Sequence, residues 1–284
     1  MRIIVAGPPK TGNIWVKHIL AEVYGLKNLT PHPRADAGQL KRFVDQGGFI
    51  DNAIFHEHYW PTGLFFEVVE SLQARVVTIL RNPYDAFVSL YFYIQNFPHL
   101  FGEHDRHRPL VGKPIDHPDV LAFLADDTIG FGYSYMKRAG DWVAGNPAAG
   151  DHFILTRYEV LRTNTFDEIK RITTHIQPVE DPVIRRAIDV CSAGNMRKKS
   201  RTLSKHVRKA AVGDWKNYLT RAHLETFERC YGDLIVQLGY EVAPPEQAGE
   251  SSAFPTPFPR QRTFGPGVVS QVKDAVKTLV ERIK

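Results

Sequence analysis

The first 25 residues read MRIIVAGPPKTGNIWVKHILAEVYG (1–25), and the fold class turns on how they are parsed. Ile3, Ile4, Val5 and Ala6 form an unbroken apolar run closed by Gly7-Pro8-Pro9, the pattern of a strand buried on both faces. From residue 11 the period changes. Ile14, Trp15, His18, Ile19 and Val23 recur at helical spacing over 11–24, and Gly25 stands where a C-cap belongs. A strand, a glycine-bearing turn and a helix make the opening unit of a parallel α/β sheet. Backbone N–H groups and the positive helix end meet in such a turn and suit an anion. Gly12 permits close backbone approach, Lys10 supplies a mobile cation, and Thr11 and Asn13 supply donors. The triphosphate loop GxxxxGK[ST] is not met, because Asn13 follows Gly12 where a lysine should stand.

Outward from this unit the alternation continues. Apolar runs at 53–56, 75–80 and 152–156 are predicted strands. Helices are predicted at 62–72, 84–96 (with Pro83 in its first turn), 119–125, 132–143, after the run at 152–156 through about 191, and at 221–238. Residues 28–50 and 97–117 show no clear element, and 198–213 is basic without a period. The reading is a single α/β domain, a central parallel sheet flanked by helices, over 1–244. A Pro/Gly/Ser-rich linker follows at 245–267, and a C-terminal amphipathic helix at 268–284.

Bulk composition narrows the class. The chain has 284 residues, 43% hydrophobic and 24% charged, ordinary for a globular protein with a buried core. A net charge of +5 fits an anionic partner as well as a generally basic surface. Cys191 and Cys230 are too few for a disulfide framework, which favours a reduced compartment. The apolar run at the N-terminus is shorter than the roughly 7–15 residues of a signal peptide. No uncharged apolar stretch reaches the ~18 residues of a membrane span, so a cytoplasmic setting is expected.

Two distant residues can meet on one phosphate. Arg81 directly follows the run at 75–80, and Ser89 lies two turns into the next helix; a guanidinium fork and a hydroxyl suit a phosphate dianion. A proton acceptor of near-neutral pKa is offered by His56 and His58 at the end of the run at 53–56. Alternating strand residues share a face, so the two histidines point the same way. Metal binding by the pair is the rival reading, with no third ligand at motif spacing.

Three strings, in order, resemble the sulfotransferases that use 3′-phosphoadenosine 5′-phosphosulfate (PAPS). Pro9, Lys10, Thr11, Gly12 and Trp15 match the family's PK(S/T)GTTW, with Asn13 and Ile14 where threonines are usual. Residues 81–93 match RNPxDxxVSxYxF, with Tyr93 in place of phenylalanine. Arg208, Lys209, Gly213, Asp214, Trp215 and Lys216 match RKGxxGDWK, with Ala210 in place of glycine. The chain is thus similar to a sulfotransferase with a P-loop-kinase-like fold, opening directly on its first strand as bacterial members do.

The resemblance implies that Lys10, Thr11, Gly12 and Asn13 hold the 5′-phosphosulfate, and that Arg81, Ser89, Arg208 and Lys209 hold the 3′-phosphate. It implies adenine stacking by Trp15 and Tyr158, with Ser192 a further contact where the family has a Ser/Thr–Phe pair. His58 falls on the histidine of the family's KTH string and becomes the general base; His56 stands where the lysine would be. Lys10 stabilises the departing oxygen, Ser89 touches both the 3′-phosphate and Lys10, and no metal is required. The acceptor, a hydroxyl or amine on a small molecule, sugar, lipid or peptide, is set by the loops at 28–50 and 97–117, with Tyr59, Phe97 and Phe101 as candidate pocket walls. No nucleic-acid partner and no membrane span are implied. The family's dimer motif KxxxTVxxxE falls on Lys216, Thr220, Arg221 and Glu225, and Arg221 in place of valine argues against that dimer. A small-molecule kinase and a catalytically inactive PAPS-binding protein are the alternatives.

Overall fold

The computed structural model describes residues 1–30, 32–145, 150–199 and 209–248. The expectations for 249–284, most of the linker and the terminal helix, and for Arg208 lie outside the described residues. Five parallel strands form one sheet in the order β2-β3-β1-β4-β5. They are β1 (Arg2–Ala6), β2 (Lys27–Asn28), β3 (Ala53–Glu57), β4 (Arg75–Leu80) and β5 (Phe153–Arg157). The strand absent from the sequence reading is β2, a two-residue edge strand with both residues exposed and no apolar run to announce it.

Strand β1 is covered on both faces, and its alternating side chains divide the core in two. Ile3 and Val5 pack with Val16, Ile19 and Leu20 of α1 (Asn13–Tyr24) and with Ile172 of α8 (Thr165–Ile176). Ile4 packs on the other face with Leu40 of α2 (Ala37–Asp45), Phe65 of α3 (Gly63–Ser71) and Trp142 of α6 (Arg138–Gly145). Each fully buried aliphatic or aromatic side chain contributes about 1.5–3 kcal/mol relative to exposure.

Local chemistry sets the helix ends. Gly25 takes φ +62 and donates its N–H to Ala21 O, closing α1. Asn82 caps α4 (Pro83–Asn96) by accepting from the N–H groups of Tyr84 and Asp85, and Pro83 fills the first helical position. Residues 28–50 are not wholly a loop as expected. Asp36 accepts from Gln39 N to start α2, whose one buried residue, Leu40, leaves little apolar pattern. The helix expected at 132–143 begins as a π-helix over Gly132–Lys137 before α6. Helix α10 (Ala193–Lys199) runs into the start of the basic segment expected without a period, and the start of the expected linker holds the 3₁₀ turn Pro245–Gln247. Helices α5 (Pro118–Ala125), α7 (Tyr158–Thr163), α9 (Asp181–Val190) and α11 (Arg221–Gln237) complete the domain.

All strands being parallel, their carboxyl ends share one edge, and β1 lies between β3 and β4 where the chain order reverses. In such sheets the crevice outside the switch point receives the ligand.

Candidate active site

Four of the five strands deliver site residues immediately after their last residue: the loop 7–12 after β1, His58 after β3, Arg81 after β4 and Tyr158 after β5. Pro9, Lys10 and Gly12 of the loop, with His58, Arg81 and Tyr158, border one cavity of about 410 Å³.

The loop after β1 is braced by its own side chains. Thr11 is fully buried; its hydroxyl lies 3.1 Å from Pro8 O and 2.9 Å from Asn13 Oδ1, and Asn13 Nδ2 donates to Pro8 O at 3.1 Å. The Thr11 hydroxyl is therefore spent inside the loop, whereas Asn13 borders the cavity and uses one of its two amide N–H groups on Pro8, which leaves the other and the backbone N–H groups to meet an anion. No side chain caps α1 at its N-cap, Gly12. Gly12 holds φ +96, and a Cβ there would lie 2.9 Å from Tyr158 Cδ2, so the tyrosine ring occupies the space a side chain would need.

A line of charges and rings crosses the cavity. Trp15 donates from Nε1 to Cys191 O at 3.0 Å, and the Arg162 guanidinium lies 5.3 Å from its ring centre. Arg81 lies 4.3 Å over the Tyr158 ring and donates to Lys10 O at 3.1 Å and to Ala211 O at 3.2 Å, with its Nε buried and lacking a partner. The Lys10 ammonium rests 4.1 Å over the Tyr93 ring; burial, with Arg81 beside it, pushes its pKa down to about 7. The Lys10–Ser89 contact expected from the resemblance is replaced here by Lys10 on Tyr93, although Ser89 lines the same cavity.

His58 Nδ1 lies 3.0 Å from Gly7 O. A carbonyl only accepts, so Nδ1 carries the hydrogen and Nε2 keeps its lone pair. Burial lowers the pKa of His58 to about 4, helped by Arg138 and Lys10 and opposed by the bond to Gly7. The ring is a neutral base at pH 7. His56 also borders the cavity, with its ring centre 6.3 Å from that of His58.

The 209–215 segment closes the cavity from the other side and is tied down by Asp85, whose carboxylate accepts from Gly213 N at 2.7 Å and Trp215 N at 3.0 Å. Lys209 borders the cavity and pairs with Asp214 at 3.1 Å. Ala210, in the family's glycine position, holds φ +55, the left-handed region that glycine adopts freely.

Three sequence expectations are displaced. Ser192 is not on the cavity wall; its hydroxyl accepts from Asn195 N, and Ala193 and Met196 line the wall instead. No described residue of 28–50 lines the cavity, whereas Phe101 of the second loop does. Tyr59 and Phe97 are buried in the core. Sequence reasoning missed Arg162, which stands one helical turn after Tyr158 and on the same face. It also missed Arg138 and Ser134, which no motif marks. Among the described residues no group of three or more His, Cys, Asp or Glu is arranged to hold a metal ion, and no helix is long and apolar enough to cross a membrane.

Comparisons with known proteins converge. Cytosolic sulfotransferase 15 of Arabidopsis thaliana is 24% identical over 268 residues, covering 82% of this chain and 71% of the relative. Human sulfotransferase 2A1 is 22% identical over 270 residues, covering 85% and 87%. The fold is similar to that of mouse sulfotransferase SULT7A1 complexed with PAP, at a TM-score of 0.61 and 18% identity over 82% of this chain and 83% of that one. A family model described as the sulfotransferase domain matches residues 1–239, and the chain belongs to that family.

Proposed function

We propose that this chain transfers a sulfuryl group from PAPS to a hydroxyl or amine, with His58 as general base. The observation that carries the reading is the bond from His58 Nδ1 to Gly7 O, which fastens the base to the loop that would hold the donor. The residues present fit PAPS. Trp15 and Tyr158 offer rings to the adenine, at about 1–3 kcal/mol for each stacked base. The buried, unpartnered Nε atoms of Arg81 and Arg162 at the same wall complement its phosphates. Mouse SULT7A1 and a retinol dehydratase of similar fold, at a TM-score of 0.59, are both complexes with PAP, the desulfated product.

In this reading the acceptor gives its proton to His58 Nε2 as its oxygen or nitrogen bonds to sulfur. The sulfur–oxygen bond to the 5′-phosphate breaks and PAP leaves. Lys10 sits half-protonated at pH 7, and the donor's own charge restores its full proton, so the ammonium is present when negative charge builds on the departing oxygen. Ser89 and Lys209 face the 3′-phosphate, Arg208 adds charge there, and no metal takes part. The cytosolic relatives favour a cytoplasmic setting. Binding calorimetry with PAP against ATP tests the donor: PAP binds more tightly and without Mg²⁺. Tighter, Mg²⁺-dependent ATP binding replaces the reading with a kinase.

A further inference from the structure

The cavity that His58 borders is also lined by Arg138, Ser134 and Arg106, to which the sulfuryl-transfer reading gives no role. Arg138 opens α6 with only 7% of its surface exposed, and it borders the cavity. Its guanidinium lies 4.5 Å over the Trp60 ring, and Nη1 donates to Ser134 O at 3.3 Å. Its Nε is buried and has no hydrogen-bond partner. Ser134, 2% exposed on the same wall, also has a buried hydroxyl with no partner. Exposed Arg106 borders the cavity over Tyr133, whose ring centre is 5.2 Å from that of Trp60, so the two cations stand on neighbouring rings.

Among the described residues no carboxylate lies within ion-pair distance of either arginine. A buried guanidinium with no carboxylate in contact is costly, and an anionic ligand in the cavity supplies the missing contact. Burial and the repulsion of Arg106 lower the pKa of Arg138 to about 10, opposed by Tyr133 and by the more distant Glu57 carboxylate, which leaves it a cation at pH 7.

We propose, resting on the sulfuryl-transfer reading above, that the acceptor is itself an anion whose carboxylate or sulfate is gripped by Arg138, Ser134 and Arg106 while its hydroxyl or amine faces His58. The charge of Arg138 acts on His58 strongly enough to be the second cause of its lowered pKa, so an anion on Arg138 lies close to the base. An anion there also offsets the repulsion between the arginines. A fork-shaped donor suits the planar carboxylate and the tetrahedral sulfate alike.

The test is acceptor binding to the full chain saturated with PAP, followed by calorimetry. The probes are 4-hydroxyphenylacetate, 4-hydroxyphenyl sulfate and the neutral methyl ester of the first. At least one anion binds about tenfold or more tightly than the ester, the value of one charged hydrogen-bonded pair. Whichever anion is preferred names the source of the charge. Arg138→Met collapses that ratio toward one, and Arg138→Lys keeps part of it. Should Arg138→Met fail to fold, Arg106→Met on the exposed residue lowers the ratio several-fold. An ester bound as well as both anions, or a preference untouched in every variant, overturns the proposal. Loss of PAP binding by the unaltered chain instead strikes at the donor reading.

Discussion

His58 donates from Nδ1 to the carbonyl oxygen of Gly7 at 3.0 Å, one step beyond the parallel register that pairs Val5 with His56 and Ala6 with Glu57. Sheet pairing thereby holds the base of β3 against the loop of β1, and the free nitrogen faces away from the bond that fixes the ring.

This pair sets the pH dependence. His58 must be neutral, which its pKa of about 4 ensures above that pH; Lys10 must be a cation, which is lost as pH rises through about 7. The kcat/KM for the donor, which reports the free protein, is expected to rise with pH through about 4 and fall through about 7. Lys10→Arg keeps the cation and is expected to abolish the alkaline fall. A fall that persists in Lys10→Arg assigns it to another group.

Gly12→Ala places a methyl against the Tyr158 ring at a backbone angle of φ +96. Strain of this kind costs about 1–3 kcal/mol. PAP affinity is expected to drop about tenfold or more as the tyrosine is displaced. Calorimetry reads the first effect, and loss of fluorescence quenching at Trp15 on PAP addition reads the second.

Asp85→Asn removes the charge from a carboxylate that accepts from Gly213 N and Trp215 N. An amide offers one acceptor oxygen and turns an NH₂ toward the other donor, at a cost of about 1.5–3 kcal/mol. Faster hydrogen exchange is expected at Gly213 and Trp215 with β4 unchanged, along with weaker PAP binding.

Much of this site was legible because a parallel sheet brings every carboxyl end to one edge. Once 3–6, 75–80 and 152–156 are read as strands, Lys10, Arg81 and Tyr158 must be neighbours. What remained hidden depends on side-chain direction. Thr11 and Asn13 are donors in any reading, yet only the folded loop shows them turned inward on Pro8. Arg138 follows a π-helix whose register no 3.6-residue period foretells, and its burial opposes the usual exposure of arginine. Helix α2 escaped notice because it buries Leu40 alone.

Transfer of label from PAPS to an acceptor panel, run on the unaltered chain and on His58→Ala, bears most directly on the proposed chemistry. The unaltered chain is expected to move the label, and His58→Ala to do so about 10²–10⁴ times more slowly with its PAP affinity intact. Equal rates with and without the histidine would contradict a transfer centre built on the bond between His58 and Gly7.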